Sequence, residues 1–463
     1  MVFGRCFLIL ALVLWGNLWS QSDTAIQATV EKPHIVMILA DDLGQPQLGC
    51  YGSTFYQTPN IDAMAKSGIR FVNAYASAAV CSPTRAALVS GQHPARLHLT
   101  DFIPGNTPKA KPLQAPDWQK HLPLETITIG EILKKAGYAT AWLGKWHLSK
   151  SKIPPESLEA NPDKQGFDDT FITYKPARGL PVKPWQHAEK DAHNVDTLTQ
   201  RALVFMEKNM KKRPTFMVLS HNSIHDPLME KQSLVDAYTQ KKGADRAENN
   251  PVLGAMMQTL DHSVGQIWDK VKAMGEEENT LLIFYSDNGG LHKAASQKPY
   301  RKGKGWLYEG GIRVPLIMIW KGVIAPGRVS NALVTTTDFF PTFSQLAHVP
   351  LPKGLPFDGL DLGSHLKKNT SIKRDRLFWN YPHYHKGSGM PPAAAMRYRQ
   401  YKLIQWYEPK LMGRLNSYEL YDLSKDGGET DNLALKEPQV LKRMRAELEA
   451  WKTRVGAQEP VLN

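Results

Sequence analysis

Val80-Cys81-Ser82-Pro83-Thr84-Arg85-Ala86-Ala87-Leu88-Val89-Ser90-Gly91 reads as a loop running into a helix. Pro83 suits the first helical position, where its missing N–H leaves no bond unmade. Ser82 can cap, and Thr84 to Val89 propagate the helix. Cys81 is therefore expected at or just before a helix N-terminus, where free N–H groups and the helix dipole favour an anion. Arg85 follows one turn later on the same face. At this point two readings of Cys81 stand side by side. One is a small buried apolar residue, the common fate of a free cysteine. The other is a reactive sulfur beside an anion-friendly helix end and a guanidinium.

The flanking segments end in polar clusters. His34 to Ala40 is a continuous apolar run that closes in Asp41-Asp42-Leu43-Gly44. Such a run is expected as a central strand of a parallel sheet, and its C-terminal end is where open α/β sheets place their sites. Side chains alternate along a strand, so both aspartates face one point only if the chain turns, which Gly44 would allow. Capping or turn-forming aspartates are the plainer alternative. Thr215–Ser220 and Thr280–Ser286 are further apolar strands, ending in His221-Asn222-Ser223-Ile224-His225-Asp226-Pro227 and in Asp287-Asn288-Gly289-Gly290. Tyr138–Gly144 is another, followed at once by Lys145-Trp146-His147-Leu148. In extended chain Lys145 and His147 would face the same side.

Helices are expected over Thr58–Gly68, Ile127–Ala136 and Met256–Met274, a short strand over Phe71–Tyr75, and a Pro- and Lys-rich surface loop over Asp101–Leu122. Residues 151–195 read as a long loop carrying Lys175, Arg178, Lys183, Trp185, His187 and His193, the kind of segment that sets specificity above a rigid core. Beyond Pro350 the pattern changes. Short aromatic and β-branched runs at Arg376–Tyr381, Ala394–Tyr398, Tyr401–Tyr407 and Ser417–Leu423 suggest a small antiparallel sheet, and Val440–Thr453 a closing helix.

With 463 residues, 42% hydrophobic and 22% charged, the chain has the composition of an ordinary globular protein. A net charge of +13 fits either a solvated surface or an anionic partner. No zinc-finger spacing, basic helix or aromatic RNA-binding signature is present, so no nucleic acid is expected. Residues 1–22 read as a secretory signal, with Arg5 ahead of the apolar run Cys6–Trp15. The expectation is an exported protein, periplasmic or extracellular, with no stable membrane insertion after cleavage. Of the three cysteines, Cys50 and Cys81 would remain, and a modified Cys81 would leave no intrachain disulfide pair. Asn369-Thr370-Ser371 is a glycosylation sequon that matters only on a eukaryotic secretory route.

The spacing Cys-x-Pro-x-Arg at Cys81, with Ala-Ala-Leu-x-x-Gly behind it, resembles the signature of the sulfatase family, in which this cysteine is oxidised to formylglycine. Gly144-Lys145-Trp146-His147-Leu148 resembles the second sulfatase motif, and His225 before x-Pro resembles the third site histidine, His221 being read as structural. Lys302 to Pro315 looks like the family's lysine loop, with Lys304 rather than Lys302 at the site position. Leu420–Leu423 with Glu429–Leu433 resembles the sulfatase C-terminal subdomain, so the likeness runs from Pro33 to about Asn432.

The resemblance implies an alkaline-phosphatase-like α/β core, a large mixed, mostly parallel sheet between helices. A smaller C-terminal α+β subdomain follows, with domains at 33–365 and 366–463. It implies one divalent cation, calcium, on Asp41, Asp42, Asp287, Asn288 and the modified Cys81. Arg85 would favour an ionised hydroxyl of the hydrated aldehyde, and Lys145 and Lys304 would hold sulfate oxygens. His225 with Lys304 would protonate the leaving alcohol, and His147 would take the proton that lets sulfate depart. The partners implied are a sulfated carbohydrate and, during maturation, a formylglycine-generating or anaerobic sulfatase-maturating enzyme. The expected activity is a sulfuric-ester hydrolase acting on polysaccharide-derived oligosaccharides. The alternatives are an arylsulfatase, a phosphatase or phosphonate monoester hydrolase of the same superfamily, and a non-catalytic sulfoglycan-binding protein.

Overall fold

His34–Ala40 (β1) is buried along its whole length because both faces of its sheet are covered. Ile35, Met37 and Leu39 enter one hydrophobic cluster, and Val36, Ile38 and Ala40 the other, as strand alternation requires. The structure is a computed structural model, and it describes residues 32–105, 110–150, 160–173, 187–188, 191 and 193–463. The signal expected over 1–22 therefore lies outside the described residues. So do Lys175, Arg178, Lys183 and Trp185 of the long loop.

Seven more strands complete the sheet: Ile69–Phe71 (β2), Ala139–Gly144 (β3), Asp169–Ile172 (β4), Thr215–Ser220 (β5), Thr280–Ser286 (β6), Leu316–Ile319 (β7) and Arg328–Ser330 (β8). Their order is β8-β2-β7-β6-β1-β5-β3-β4. Only β7 runs against its neighbours. Ala40 stands opposite Ser286, Leu39 opposite Ser220, and Ser220 opposite Gly144. The C-terminal ends of four adjacent parallel strands are thus level, and whatever follows each one arrives at the same edge.

Pro59–Ser67 (α1), Cys81–Ser90 (α2), Ile129–Lys135 (α3), Val195–Asn209 (α4), Pro251–Ala273 (α5) and Phe339–Leu346 (α6) flank the sheet. Ala86, Leu88, Leu133, Phe339 and Phe343 of α2, α3 and α6 join one cluster. Ile61, Met64, Leu198, Ala202, Leu253 and Leu260 of α1, α4 and α5 join the other. The α3 start is fixed by a capping box, Thr128 accepting from the Glu131 N–H while Glu131 accepts from the Thr128 N–H.

Arg376–Tyr381 (β9), Ala393–Tyr398 (β10), Tyr401–Trp406 (β11) and Tyr418–Asp422 (β12) form the antiparallel sheet expected near the C-terminus, paired in chain order. Pro438–Val455 (α7) packs on it through Met444, Leu448 and Trp451. The opposite side shares a cluster with Leu307, Tyr308 and Ile312 of the lysine loop.

Two expectations need correction. The strand expected over Phe71–Tyr75 is split: β2 stops at Phe71, and Ala74–Tyr75 pairs instead with Val334–Thr335 in a separate ladder. The segment Asp101–Leu122 is not a plain surface loop, since Asp101, Ile103, Leu113, Trp118 and Leu122 are buried. Leu113–Gln114 also pairs with Val461–Leu462 near the C-terminus. The Pro and Lys residues are the visible part of its composition, whereas spaced single apolar anchors leave no periodic signal.

Candidate active site

The level strand ends bring three carboxylates together. Asp41 and Asp42 follow β1, Asp287 and Asn288 follow β6, and all four are fully buried. The turn that lets both aspartates face inward is at Asp42 itself, φ 67°, and not at Gly44, whose φ is −86°. Aspartate is one of the few side chains that enter the left-handed region readily. The Asp42 N–H donates to Asp287 Oδ1 at 3.3 Å, and Asn288 Nδ2 donates to Asp42 Oδ1 at 2.8 Å. Asn288 Oδ1 is buried without a hydrogen-bond partner among the described residues.

The helix α2 starts at Cys81, with Val80 as its N-cap. Pro83 is therefore the third helical residue rather than the first. The first turn has no intrahelical use for its N–H groups, so proline is accepted anywhere within it. Cys81 is buried with its Sγ 3.6 Å from Asp41 Oδ1. Burial pushes its thiol up to about 11, against the pull of Lys145 and Lys304. Arg85, one turn on, is fully buried. Its Nε and Nη2 lie 2.9 and 2.8 Å from Asp287 Oδ2, and Nη2 is 4.0 Å from Asp41 Oδ1. Nη1 donates to the Lys145 carbonyl at 2.7 Å and to Ser220 Oγ at 2.6 Å. One guanidinium thereby ties the ends of β6, β5 and β3 to the helix bearing Cys81.

Lys145 and His147 come together, but not by strand alternation. The strand ends at Gly144, whose φ of 105° and closeness to the Ser220 carbonyl, 1.9 Å from where a Cβ would sit, admit only glycine. His147 is itself left-handed, φ 62°. Lys145 Nζ donates to Asp41 Oδ2 at 2.7 Å. His147 Nε2 donates to the Ile103 carbonyl at 2.6 Å, which leaves Nδ1 as a buried lone pair with no hydrogen-bond partner among the described residues. Burial, reinforced by the Lys145 charge, holds this imidazole well below its ordinary range, so it is neutral.

The lysine loop enters from the other side. A Cβ on Gly289 would lie 1.9 Å from the Gly310 carbonyl, so the loop lies backbone against backbone on the Asp287–Gly290 turn. Lys304 Nζ donates to Asp42 Oδ2 at 2.8 Å and to His225 Nε2 at 2.7 Å. His225 Nδ1 lies 2.6 Å from Asp226 Oδ1 and 2.8 Å from the Asp226 carbonyl, so that nitrogen carries the proton. Lys302 points elsewhere, over the Trp306 ring. His221, expected to be structural, is buried against Ser263 Oγ at 3.1 Å.

One ligand atom each from Asp41, Asp42, Cys81 and His225 lie within 4.8 Å of one another. With the buried carboxylate of Asp287 and the unpaired Asn288 oxygen beside them, the donor set is oxygen-rich and anionic, which fits a hard divalent cation. Two cavities open over this cluster. One, about 300 Å³, is lined by Lys145, His147, Asn161, Thr173 and Asn222. The other, about 460 Å³, is lined by Cys81, Lys304, Leu291, His292 and His385. Phe102, His147 and His225 belong to both.

All six expected catalytic residues and all expected metal ligands meet at this edge. Several partners were missed by sequence reading: Ser220 under Arg85, the Ile103 carbonyl on His147, Asp226 on His225, and Phe102 and His385 in the cavity walls. Asp226 and Ser220 adjoin residues that were singled out, so their position was a usable signal. Ile103, Phe102 and His385 come from segments that only the fold brings here.

The family profile described as Sulfatase matches residues 33–349. The chain belongs to the sulfatase family. A second profile, described as N-sulphoglucosamine sulphohydrolase, C-terminal, matches residues 302–454. A sulfatase of Formosa agariphila is 32% identical over 95% of this chain and 93% of its own length. Human arylsulfatase A is 32% identical over 93% and 89%. The solved structure of Ps i-CgsB in complex with k-i-k-neocarrahexaose is 28% identical, with a TM-score of 0.74, over 91% of this chain and 93% of that one. This sulfatase thus has the alkaline-phosphatase-like fold and is an enzyme that hydrolyses sulfate esters.

Proposed function

We propose that this sulfatase removes sulfate from sulfated carbohydrate chains, with residue 81 acting as formylglycine beside one calcium ion. The observation that carries this reading is the convergence of Cys81, three buried carboxylates and the cations Arg85, Lys145 and Lys304 on one strand edge. Asp41, Asp42, Asp287, Asn288 and the modified residue 81 would hold the cation. When bound, it supplies Lewis-acid stabilisation of negative charge on a sulfate oxygen and on the attacking hydroxyl. The hydrated aldehyde supplies two hydroxyls on one carbon, one to attack sulfur and one whose proton can later be removed.

The chain's own residues do the rest. Lys145 and Lys304 offer ammonium donors to the anionic sulfate oxygens, in a site dry enough for those bonds to be strong. Arg85 is held by Asp287, Ser220 and the Lys145 carbonyl through Nε and Nη1, while its buried Nη2 makes no hydrogen bond among the described residues and is left to favour an ionised hydroxyl on residue 81. Lys304 and His225 share a proton across 2.7 Å, with Nδ1 held by Asp226. That proton is placed for the departing alcohol oxygen. The neutral His147, its Nδ1 lone pair unengaged, is suited to accept a proton from a hydroxyl on residue 81.

Support for a carbohydrate comes from two cavities meeting at Phe102, His147 and His225, an elongated cleft rather than a closed slot. The related structure holding a carrageenan oligosaccharide supports the same class. Residues 1–22 are proposed as an export signal leading to the periplasm or beyond. Cys81 is 1% exposed, so its maturation enzyme would have to act before folding is complete.

The test is sulfate release, measured by ion chromatography, from carrageenan and chondroitin sulfate oligosaccharides and 4-nitrophenyl sulfate, set beside alcohol release from phenylphosphonate monoesters. Faster turnover of the oligosaccharides supports the proposal. A preference for the aryl ester or the phosphonate contradicts it.

A further inference from the structure

The larger cavity carries one side chain whose chemistry is fixed yet unused by the reaction just described. His385 comes from the C-terminal part of the chain, just after β9, and lines this cavity together with Cys81 and Lys304. Its ring packs against the lysine loop: a Cβ on Gly305 would lie 2.4 Å from His385 Nδ1. The imidazole therefore sits one residue from Lys304 and looks into the same space. Phe102 lies edge-on to it with ring centroids 5.7 Å apart.

The tautomer of His385 follows from its neighbours. The backbone N–H of Ser388 donates to Nδ1 at 3.0 Å, and an N–H has no other role to play. Ser388 Oγ, 2.9 Å from the same Nδ1, can turn its one hydrogen to that nitrogen or to the Gly305 carbonyl at 3.1 Å. Nδ1 is thus the acceptor, and the ring proton sits on Nε2. Among the described residues Nε2 makes no hydrogen bond. The ring is also kept neutral: burial, then the charge of Lys304, hold it down to about 4. The remaining walls mix apolar side chains, Phe102, Leu228, Leu291 and Ala294, with the polar Asp226, His292 and Lys293. Lys293 donates to the Gly387 carbonyl.

We propose that His385 is a specificity-determining residue whose Nε2–H donates to an oxygen on the sugar next to the sulfate ester. This rests on the sulfatase reading and extends it to the alcohol half of the substrate. The chemistry selects an uncharged acceptor, a hydroxyl or ether oxygen. A bare aromatic alcohol has nothing to offer this donor. An N–H left unmet when a ligand fills the cavity disfavours any ligand that cannot accept from it. The reading commits the enzyme to esters of a polyol ring over plain aryl sulfates.

The experiment compares kcat/KM of wild type, His385→Ala and His385→Gln on κ-carrageenan neocarratetraose, N-acetylgalactosamine 6-sulfate and 4-nitrophenyl sulfate. Gln carries an amide donor at similar reach. The expected result is a loss in His385→Ala at least about ten-fold larger on the preferred sugar ester than on the aryl ester, seen chiefly in KM. His385→Gln should recover part of it. Equal losses on sugar and aryl esters would overturn the proposal while leaving the sulfatase reading intact. A wild type inert toward all three esters would overturn both.

Discussion

Lys304 Nζ donates to His225 Nε2 across 2.7 Å, while the same ammonium holds Asp42 Oδ2 at 2.8 Å. The proton needed by a departing alcohol thus belongs to a pair rather than to one residue. His225→Ala and Lys304→Ala should each lower turnover of sugar sulfates by roughly 10²–10⁴-fold, and of 4-nitrophenyl sulfate much less, because a general acid matters most for a basic leaving oxygen. The double variant should lose little more than either single one. Steady-state kinetics on both ester types checks this, and equal losses on the two would remove the pair from proton transfer.

The lysine loop is anchored from behind by a buried ion cluster. Lys402 on β11 lies 2.9 Å from Glu309 Oε1 and 2.8 Å from Glu429 Oε1, all three fully buried. Lys402→Met should leave Glu429 without its counter-ion, Glu309 keeping Arg313 and the Tyr75 hydroxyl, and destabilise the fold by about 3–5 kcal/mol. Urea titration followed by tryptophan fluorescence reads this out, and a change below about 1 kcal/mol would show that the cluster is not a fixed ion pair.

A buried histidine makes stability depend on pH. His93 accepts the Ala95 N–H at Nδ1 and donates from Nε2 to the Phe378 carbonyl, so protonating Nδ1 breaks a bond inside a buried contact. Burial lowers its pKa from 6.5 to about 4. The folded pKa is depressed, so the stabilisation is fully present above pH 6.5 and is lost as pH falls through about 4. The unfolded chain takes up the proton first, and the full effect is ~3 kcal/mol. Melting curves between pH 7 and 4 should fall more steeply for wild type than for His93→Gln. Parallel curves would contradict the assignment.

A cation shared by Asp41, Asp42, Asp287 and Asn288 should stabilise the folded state by mass action, by about 2.7 kcal/mol at a hundred times its dissociation constant. Calcium titrated into chelator-treated protein should raise the melting temperature, and Asp287→Asn should blunt the rise. A melting temperature indifferent to calcium would argue against the site.

Much of this was legible in the chain. The run His34–Ala40 announces a doubly covered strand, and Asp41, Lys145, His225 and Asp287 are prominent because each directly follows such a run or its turn. What the sequence hid is geometry that periodicity does not encode. The turn at Asp42 belongs to the carboxylate itself rather than to the nearby glycine, and Lys145 and His147 meet through two left-handed residues instead of strand alternation. Pro83 was misplaced by two positions because a helix tolerates proline throughout its first turn. His385 lies in the stretch Tyr381–Arg399, whose basic and aromatic side chains suggest a pocket flank, but no motif marks the residue itself, and it reaches the cavity because the C-terminal sheet shares a core with Leu307, Tyr308 and Ile312.

The account rests on residue 81, and the most direct measurement is the mass of the tryptic peptide Phe71–Arg85 from active enzyme. Oxidised to formylglycine, Cys81 exchanges one sulfur and two hydrogens for one oxygen, and the modified fraction should track specific activity across preparations. Cys81→Ser, folded but unmodified, should release almost no sulfate. Full activity in enzyme whose peptide carries an intact cysteine would contradict the account.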